Sequence, residues 1–300
     1  MKHRLLLCAI CLSVLFSCKK EKKEPDTKLY PINFKVSGFS QTNVPIGLGK
    51  AKTAALATQA ADTIPVQKLT YLLFATDIQS SLLSQISFVK GSAGFGTITD
   101  KVAPGNYLAV FCGGSANMGI YQTTFPDPKP HTAFSYGGGW DDTFYKRIPI
   151  TVTANGINMG VSLDRITARL DLVIKDAIPV GTTRIGVSFP DTLGYDATNG
   201  RGELSFIGTN GFATTITTAD IGKTNYTISR YTLNNITPFD VTVSYYGPNP
   251  NAPLNTKIIK NVVCKTNTKT TLSGDLFTPG NNGFSIMVNQ DWNTPITVGF

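Results

Sequence analysis

The stretch YPINFKVSGF, residues 30–39, alternates apolar and polar side chains with a period of two. Its apolar positions are Tyr30, Ile32, Phe34 and Val36. Because successive side chains of a strand point to opposite faces, this pattern predicts a β-strand with one buried face. The pattern recurs about every ten residues, between turns rich in Gly, Asn, Pro and Asp. The sequence therefore predicts an all-β protein.

Short strands at this spacing, with few stretches of helical period, indicate antiparallel Greek-key sandwiches rather than βαβ units. One set of strands ends near Thr153, at the turn Ala154-Asn155-Gly156, and a long strand near Val161 opens a second set. We therefore predict two β-sandwich domains, residues 29–157 and 158–300. The predicted strands are Tyr30–Phe39, Lys68–Ala75, Gln85–Val89, Gly96–Asp100, Asn106–Cys112, Tyr145–Thr153, Val161–Ile174, Arg184–Phe189, Gly202–Ile207, Tyr226–Leu233, Phe239–Tyr246, Lys257–Cys264, Lys269–Leu276 and Gly283–Val288.

The segment Gly113–Trp140 is rich in Gly, Pro and aromatic residues and interrupts the strand pattern. We predict a long loop there, and long ordered loops are often functional. Exposed aromatic rings can stack on sugars or anchor a protein partner, but the same rings could fold back as a lid over the first sandwich. Both alternatives stay open. The candidate contact residues are Tyr121, Phe125, Tyr136 and Trp140.

The first residues have the organisation of an export signal. A basic start precedes the apolar run Leu5–Phe16, which is shorter than the roughly 20 residues needed to span a bilayer. The stretch LFSC, residues 15–18, resembles the lipobox of bacterial lipoproteins, which implies cleavage before Cys18 and a lipid on its thiol. The alternative is an ordinary signal peptide in which Cys18 is incidental. We therefore predict a signal peptide at 1–17 and a lipidated tether at 18–28.

The composition of the tether and the overall charge indicate which kinds of partner the protein can have. KKEKKEPDTK, residues 19–28, has no hydrophobic residue, so it is predicted to be solvated. Without residues 1–17 the formal charge falls from +8 to +6, and no basic stripe interleaved with aromatics predicts nucleic-acid binding. No later segment is apolar enough to cross a membrane. We expect a lipid-anchored outer-membrane protein exposed at the cell surface, with its leaflet and orientation left open.

Two cysteines, Cys112 and Cys264, follow the tether. An oxidising export compartment permits a disulfide between them. Both also lie in strand-like apolar runs, where small buried thiols are common. The sequence leaves the two alternatives open.

Several motifs point to one family. LTYLLF at 69–74, VAPGNY at 102–107, VSLDRITARL at 161–170 and NTKTTLSGDLF at 267–277, followed by QDW at 290–292, resemble the hairpins and strands of the fimbrillin-like and fimbrial anchor lipoproteins of Bacteroidetes. The resemblance implies two tandem transthyretin-like sandwiches. It also implies a role in anchoring or assembling a fimbria or in adhesion, with other fimbrial subunits as partners and strand addition at an open sheet edge as the contact.

One departure from this family concerns the first strand. In shaft members an arginine-specific protease removes that strand, and the groove accepts a strand of the next subunit. Here the first arginine after the signal is Arg147, so we predict that the first strand stays attached and completes its own sheet. That suits an anchor or accessory subunit. Lys50 or Lys52 could still be cut by a protease of another specificity.

The residues offer little for catalysis. His131 is the one histidine after the signal, without a glycine-flanked serine. Glu203 is the one glutamate beyond the tether, so paired carboxylates for glycoside hydrolysis are not predicted. We predict no enzyme, no metal and no cofactor besides the lipid on Cys18. Asp141 and Asp142 could form a calcium site or a solvated turn, and the turn is the simpler interpretation.

Arg165 and Arg169 lie four residues apart, so on one strand they would share a face. We expect them to pair with acids or carbonyls at the domain junction. The leading hypothesis is a non-enzymatic envelope lipoprotein, an anchor or accessory subunit of a fimbria or other adhesive structure that acts through strand edges and loops. The alternative is a surface glycan-binding lipoprotein of a polysaccharide uptake system; a host-protein ligand would use the same aromatic loop.

Overall fold

The computed structural model describes residues 28–40, 66–76, 81–123, 131–192, 194–202, 207–234, 237–278 and 283–289. These residues form nineteen strands and one short 3-10 helix, Thr218–Asp220. The predicted all-β sandwich fold is therefore confirmed. The strands are β1 (Tyr30–Ser40), β2 (Lys68–Ala75), β3 (Leu82–Val89), β4 (Thr97–Val102), β5 (Gly105–Gly114), β6 (Met118–Thr123), β7 (His131–Tyr136), β8 (Phe144–Val152), β9 (Ile157–Arg165), β10 (Ala168–Ile174), β11 (Arg184–Thr192), β12 (Tyr195–Asp196), β13 (Arg201–Gly202), β14 (Ile207–Thr215), β15 (Tyr226–Thr232), β16 (Phe239–Tyr246), β17 (Pro253–Val262), β18 (Lys269–Gly274) and β19 (Ser285–Asn289).

The first sandwich is a single seven-stranded sheet folded on itself, in the order β3-β2-β5-β8-β9-β1-β4. β8 pairs with β9 through Phe144 and Tyr145 at one end, and the sheet turns there. As a result β1 faces β2 and β5 across the core. The centroid of the Phe34 ring lies 5.0 Å from that of Phe111 and 5.6 Å from that of Tyr71. Apolar residues from both halves of the sheet fill the space between them.

The first strand is an interior strand of this sheet. β1 pairs in parallel with β9 and antiparallel with β4. The side chains of Ile32, Phe34 and Val36 are at most 3% exposed, and burying such a side chain contributes roughly 1.5–3 kcal/mol. The prediction that the first strand completes the sheet of its own chain is confirmed.

The strand predicted at Val161–Ile174 is two strands. β9 ends at Arg165 and β10 begins at Ala168. β9 belongs to the first sheet because it pairs with β1, whereas β10 pairs with β15 and β18 in the second sandwich. The strand pairing therefore changes sheets at Ile166 and Thr167, later than the predicted division at residue 157.

The second sandwich consists of two four-stranded sheets, in the orders β15-β10-β18-β19 and β14-β11-β16-β17. Their facing side chains form one core, which includes Leu172, Val187 and Leu272. β17 and β19 are the end strands on one side: side chains of β17 donate hydrogen bonds to the carbonyls of Asp275 and Leu276, which precede β19. Both end strands border that side of the sandwich.

A third layer, which we call the cover sheet, has the strand order β13-β12-β7-β6. β6 and β7 form a hairpin, while β12 and β13 belong to the second half of the chain. The prediction of a loop at Gly113–Trp140 is wrong, because two strands run through it; residues 124–130 lie outside the described residues. Most of the strand predicted at Gly202–Ile207 lies outside the described residues: β13 ends at Gly202, β14 begins at Ile207, and residues 203–206 are not described.

The cover sheet packs on the outer face of β2 and β5. Leu72 and Phe74 of β2, with Val110 and Cys112 of β5, contact apolar side chains of the cover sheet. The alternate residues of β2 enter the core of the first sandwich. These two strands are therefore buried on both faces, which explains their continuous apolar sequence.

Candidate functional site

Most aromatic residues of the predicted loop lie beneath or within the cover sheet. Phe134 is fully buried, and its ring contacts those of Trp140, Tyr145 and Tyr195 at centroid distances of 6.1, 6.2 and 5.0 Å. The Trp140 indole N–H donates a hydrogen bond to the carbonyl of Thr192. The Tyr145 hydroxyl donates to the carbonyl of Ala197 at 2.7 Å. Both acceptors come from the second half of the chain, so these rings join the two halves.

The predicted contact residues are distributed unevenly. Tyr136 and Trp140 are only 9% and 5% exposed, as the lid alternative expects. Tyr121 is half-buried on β6. Phe125 lies outside the described residues. A contact role for these residues stays a prediction, although the burial of Tyr136 and Trp140 limits how much of each ring a ligand could touch.

Arg165 lies at the crossing between the sandwiches. Its Nε and Nη2 donate to the two carboxylate oxygens of Asp142, at 2.7 and 3.1 Å, and its Nη1 donates to Asn267 Oδ1 at 2.9 Å. The side chain is 4% exposed, and its guanidinium lies 4.8 Å from the ring centroid of Phe144. A buried charge is tolerated when it is paired and hydrogen-bonded, and the Arg165 guanidinium meets both conditions. The predicted pairing at the domain junction is confirmed.

Arg169 also pairs with an acid, as predicted, but it does not share a strand face with Arg165. Because β9 ends at Arg165 and a new strand, β10, begins at Ala168, the two arginines lie on different strands. Arg169 Nε donates to Asp171 Oδ1 at 2.7 Å, and its Nη2 donates to Ser229 Oγ at 3.0 Å. Both arginines are therefore held by side chains of the protein.

A cleft of about 250 Å³ opens beside this crossing, and we call it the junction cleft. The first half of the chain contributes the loop between β7 and β8, and the second half contributes β14 and β15. It combines aromatic rings, one carboxylate, one guanidinium and a glycine loop, Gly137–Gly139. The lining residues are Asn117, Tyr136, Gly137, Gly138, Gly139, Trp140, Asp141, Phe212, Ser229, Arg230 and Tyr231.

The glycine loop sets the shape of the cleft. Gly138 and Gly139 have φ values of 112° and 98°, a conformation that favours glycine. A Cβ on Gly139 would lie 2.1 Å from the Phe212 ring, so the loop can approach β14 only without a side chain. A Cβ on Gly137 or Gly138 would meet nothing within 4 Å. The space above these two residues is the open part of the cleft.

Arg230 is the least satisfied polar residue of the cleft. Its Nη1 donates to the carbonyl of Ser229 at 2.8 Å and its Nη2 to Thr214 Oγ1 at 3.0 Å. Its Nε is buried and has no hydrogen-bond partner among the described residues. Burial lowers the pKa of Arg230, and it raises the pKa values of Tyr136 and Tyr231. All three shifts indicate a site partly shielded from water.

A second, shallower depression of about 200 Å³ lies on the outer face of β14, β11 and β16. Gly186 and Gly211 are among its lining residues. At one end the Arg184 guanidinium lies 4.1 Å from the centroid of the Tyr246 ring. This depression belongs to the second sandwich alone, whereas the junction cleft needs both halves of the chain.

The two cysteines are free and buried, so the disulfide alternative is wrong. Cys112 belongs to the cluster under the cover sheet and Cys264 to the core of the second sandwich. Burial raises the pKa of the Cys112 thiol and raises that of Cys264 to about 12. A cysteine that acts as a nucleophile has a lowered pKa, whereas the pKa values of both these thiols are raised.

The remaining candidates add no chemistry. His131 begins β7 and is half-buried, rather than lying in an exposed loop. Asp142 is bound by Arg165, and among the described residues no group of three or more His, Cys, Asp or Glu could hold a metal ion. Cys18 and Glu203 lie outside the described residues. Within the part of the chain that the structure describes, no helix is long and apolar enough to cross a membrane.

Comparison with known proteins finds similarity in the fold but no match by sequence. No family model matches the chain, and no curated protein matches it. Several solved structures have a similar fold. A candidate polysaccharide-binding protein of Bacteroides thetaiotaomicron superposes with a TM-score of 0.53 at 9% identity, covering 87% of this chain and 96% of that one. A candidate adhesin of the same organism superposes with a TM-score of 0.50 at 10% identity, covering 86% and 95%.

The fimbrial anchor protein Mfa2 of Porphyromonas gingivalis is also similar, at 13% identity with a TM-score of 0.47, over 87% of this chain and 97% of that one. What these proteins share with this chain is the fold. The fold neighbours are adhesins and fimbrial proteins of Bacteroidetes, consistent with the resemblance noted in the sequence. At these identities they do not assign a ligand or a partner.

Proposed function

We propose that this chain is a non-enzymatic adhesion or fimbrial accessory protein of the cell surface. The candidate adhesin with a similar fold and the resemblance to fimbrial anchor lipoproteins noted in the sequence support this proposal. The observation that carries it is the contrast between its two outermost described strands. β1 is enclosed in its own sheet, so the first sandwich does not offer the groove of a shaft subunit. β19 lies at a sheet edge with apolar side chains exposed.

The proposed contact is strand addition at this edge. Ile286, Met287 and Val288 of β19 are 42%, 54% and 40% exposed. β17, the neighbouring end strand, exposes 61% of Leu254 and 54% of Ile258. Among the described strands neither β17 nor β19 has a second neighbour in its sheet. Unpaired backbone groups beside exposed apolar side chains are the features that bind an added strand.

Co-purification from outer membranes tests the edge contact. A tagged chain is expected to bring fimbrial subunits with it, and Ile286→Lys is expected to lose them because a charge opposes strand addition. The matched control is Val180→Lys, since Val180 is 89% exposed but lies outside the strands. Retention of the partners by Ile286→Lys, or their loss from both variants, would contradict the edge contact.

The proposed attachment to the membrane is a lipid on Cys18. Its support is the LFSC stretch at 15–18 after a short apolar run. Cys18→Ala is expected to move the protein from the membrane fraction to the soluble fraction; tight association of that variant would argue against lipidation. Sequencing the N-terminus of protein from cells would show whether β1 is kept. A start beyond Ala51 would contradict the enclosed first strand.

The second candidate function is binding of a surface glycan for polysaccharide uptake. The observation in its favour is the junction cleft, where aromatic, acidic and basic side chains meet. The two candidates predict different gene neighbourhoods. Fimbrial subunit genes beside this one favour the first, and genes for sugar transporters and glycosidases favour the second.

A further inference from the structure

The junction cleft has an internal space that the protein does not fill. The Cβ positions of Gly137 and Gly138 face open space, while Gly139 is held against Phe212 of β14. The glycine loop therefore contacts the second sandwich at Gly139, and the space beside Gly137 and Gly138 is open. At about 250 Å³ the cleft is slightly smaller than the roughly 300–1,000 Å³ typical of ligand pockets. It suits one small ring rather than an extended chain.

The cleft contains one positive group without a counter-ion. Arg230 lies on the inward-facing side of β15, opposite Leu170 in the strand register, and stacks on the Phe212 ring at 4.8 Å. The hydrogen bonds it makes go to neutral oxygens, a carbonyl and a hydroxyl. No carboxylate among the described residues lies within ion-pair distance. Its buried Nε is a donor that finds no acceptor among the described residues.

The cleft also contains one negative group without a counter-ion. Asp141 follows Trp140 and is half-buried. Its backbone carbonyl accepts a hydrogen bond from Thr143 Oγ1 at 2.7 Å. No basic side chain among the described residues pairs with its carboxylate. Arg165 is not available for this role, because it binds Asp142 instead.

These two groups restrict the chemistry of a ligand. Arg230 only donates hydrogen bonds and Asp141 only accepts them, so a ligand that touches both must both accept and donate. The opposite charges balance, which disfavours a ligand with a net charge. Tyr231, which is half-buried on β15, adds aromatic surface against which the C–H face of a sugar ring can pack.

We propose that the junction cleft binds one neutral pyranose ring of a glycan, with Asp141 accepting and Arg230 donating hydrogen bonds to its hydroxyl groups. This inference rests on the surface role proposed above and names the ligand class for the second candidate function. It does not depend on fimbrial assembly, because the cleft lies at the junction and not at the β17–β19 edge. Loss of fimbrial partners would therefore leave it standing.

Binding is measured on the full chain by calorimetry and ligand-detected NMR. The probes are the methyl pyranosides of glucose, galactose, mannose and N-acetylglucosamine, with glucuronic acid as the charged member. We expect at least one neutral pyranoside to bind, and glucuronic acid to bind more weakly. Tighter binding of glucuronic acid, or no binding of any neutral pyranoside, would overturn the proposal.

Two substitutions locate the site. Gly137→Leu places a side chain in open space at a position without positive φ, and it should weaken binding at least about tenfold by filling the cleft. Asp141→Asn keeps the size but removes the charge, and it should also weaken binding. The matched control is Gly211→Leu, which fills the depression on the second sandwich, where Cβ also meets nothing within 4 Å.

The comparison of these variants decides the assignment. If the cleft is the site, Gly211→Leu binds as tightly as the parent chain, whereas Gly137→Leu does not. The reverse order, or unchanged binding by both Gly137→Leu and Asp141→Asn, would overturn it. Thermal unfolding of each variant separates lost binding from lost folding, and Asp141→Asn keeps the test decisive if Gly137→Leu unfolds.

Discussion

The first and last described strands of this chain lie in opposite environments. β1 has a neighbour on each side and three buried side chains, Ile32, Phe34 and Val36. Among the described strands β19 has one neighbour, β18, and it carries three consecutive exposed apolar residues, Ile286, Met287 and Val288. This difference is why we assign β1 a structural role and propose β19 as the edge that binds a partner. Removing β1 would open the first core, whereas covering β19 would bury apolar surface that is now in water.

The largest expected effect comes from the enclosed strand. Phe34→Ala should lower the free energy of unfolding by about 3–5 kcal/mol, because it leaves a cavity between β1 and the rings of Tyr71 and Phe111. Urea denaturation measures the loss. A value near zero would show that β1 is not part of the folded core, and would remove the contrast with β19.

The next effect concerns the residue that ends the strand paired with β1. Arg165→Met keeps much of the packing on Phe144 but leaves Asp142, whose side chain is 25% exposed, without its partner. We expect a loss of about 2–3 kcal/mol in urea denaturation, below the value for a fully buried pair because water reaches the carboxylate. Lys146→Met removes an exposed pair with Asp164 and should cost at most about 1 kcal/mol. Equal losses would argue against a structural role for Arg165.

The buried thiol of the second sandwich adds a pH dependence. The pKa of Cys264 is about 12 when folded, against an ordinary value of 9.0. Below pH 9 both states keep the proton, so stability does not depend on this group. Between pH 9 and 12 the unfolded thiol ionises and the folded one does not, so stability falls by on the order of 1 kcal/mol per pH unit. Cys264→Ala should show a smaller fall than the parent chain when their unfolding is compared, because the other buried groups with raised pKa values, such as Cys112, still contribute.

The smallest effect is expected at the edge strand. Ile286→Ala removes a side chain that is already 42% exposed, and its unfolding free energy should stay within about 0.5 kcal/mol of the parent value. Differential scanning calorimetry on the two proteins is sufficient. A loss as large as that of Phe34→Ala would show that β19 is integral to the fold, and would remove the basis for strand addition there.

The alternation of the sequence was sufficient to predict most strands of both sandwiches, although it missed β14 and joined β9 and β10 into one strand. YPINFKVSGF became β1, and the turns Ala103-Pro104 and Asn155-Gly156 separate strands in the structure, with Gly156 at φ 67°. The break between β9 and β10 also has a sequence signal. Buried positions are odd-numbered at Val161 and Leu163 but even-numbered at Leu170 and Leu172, and a change of phase marks a change of strand.

The cover sheet could not be predicted in the same way. β6 and β7 have six residues each, and β12, which pairs with β7, is far away in the sequence. Which aromatic rings are buried depends on that distant pairing, so Trp140 looked exposed. Arg230 was missed although it interrupts the inward-facing positions of β15, where Ile228 is buried. A charged residue at such a position is a signal for a polar site between sheets.

The central claim is that β1 is closed and β19 is open, and hydrogen exchange of the native protein tests it most directly. Peptides that cover β1 and β19 are followed by mass spectrometry under native conditions. We expect the β1 amides to exchange only through global unfolding, because both sides of the strand are paired. The β19 amides should exchange much faster, through local opening at the edge. Equal protection of the two strands, or faster exchange in β1, would contradict the account.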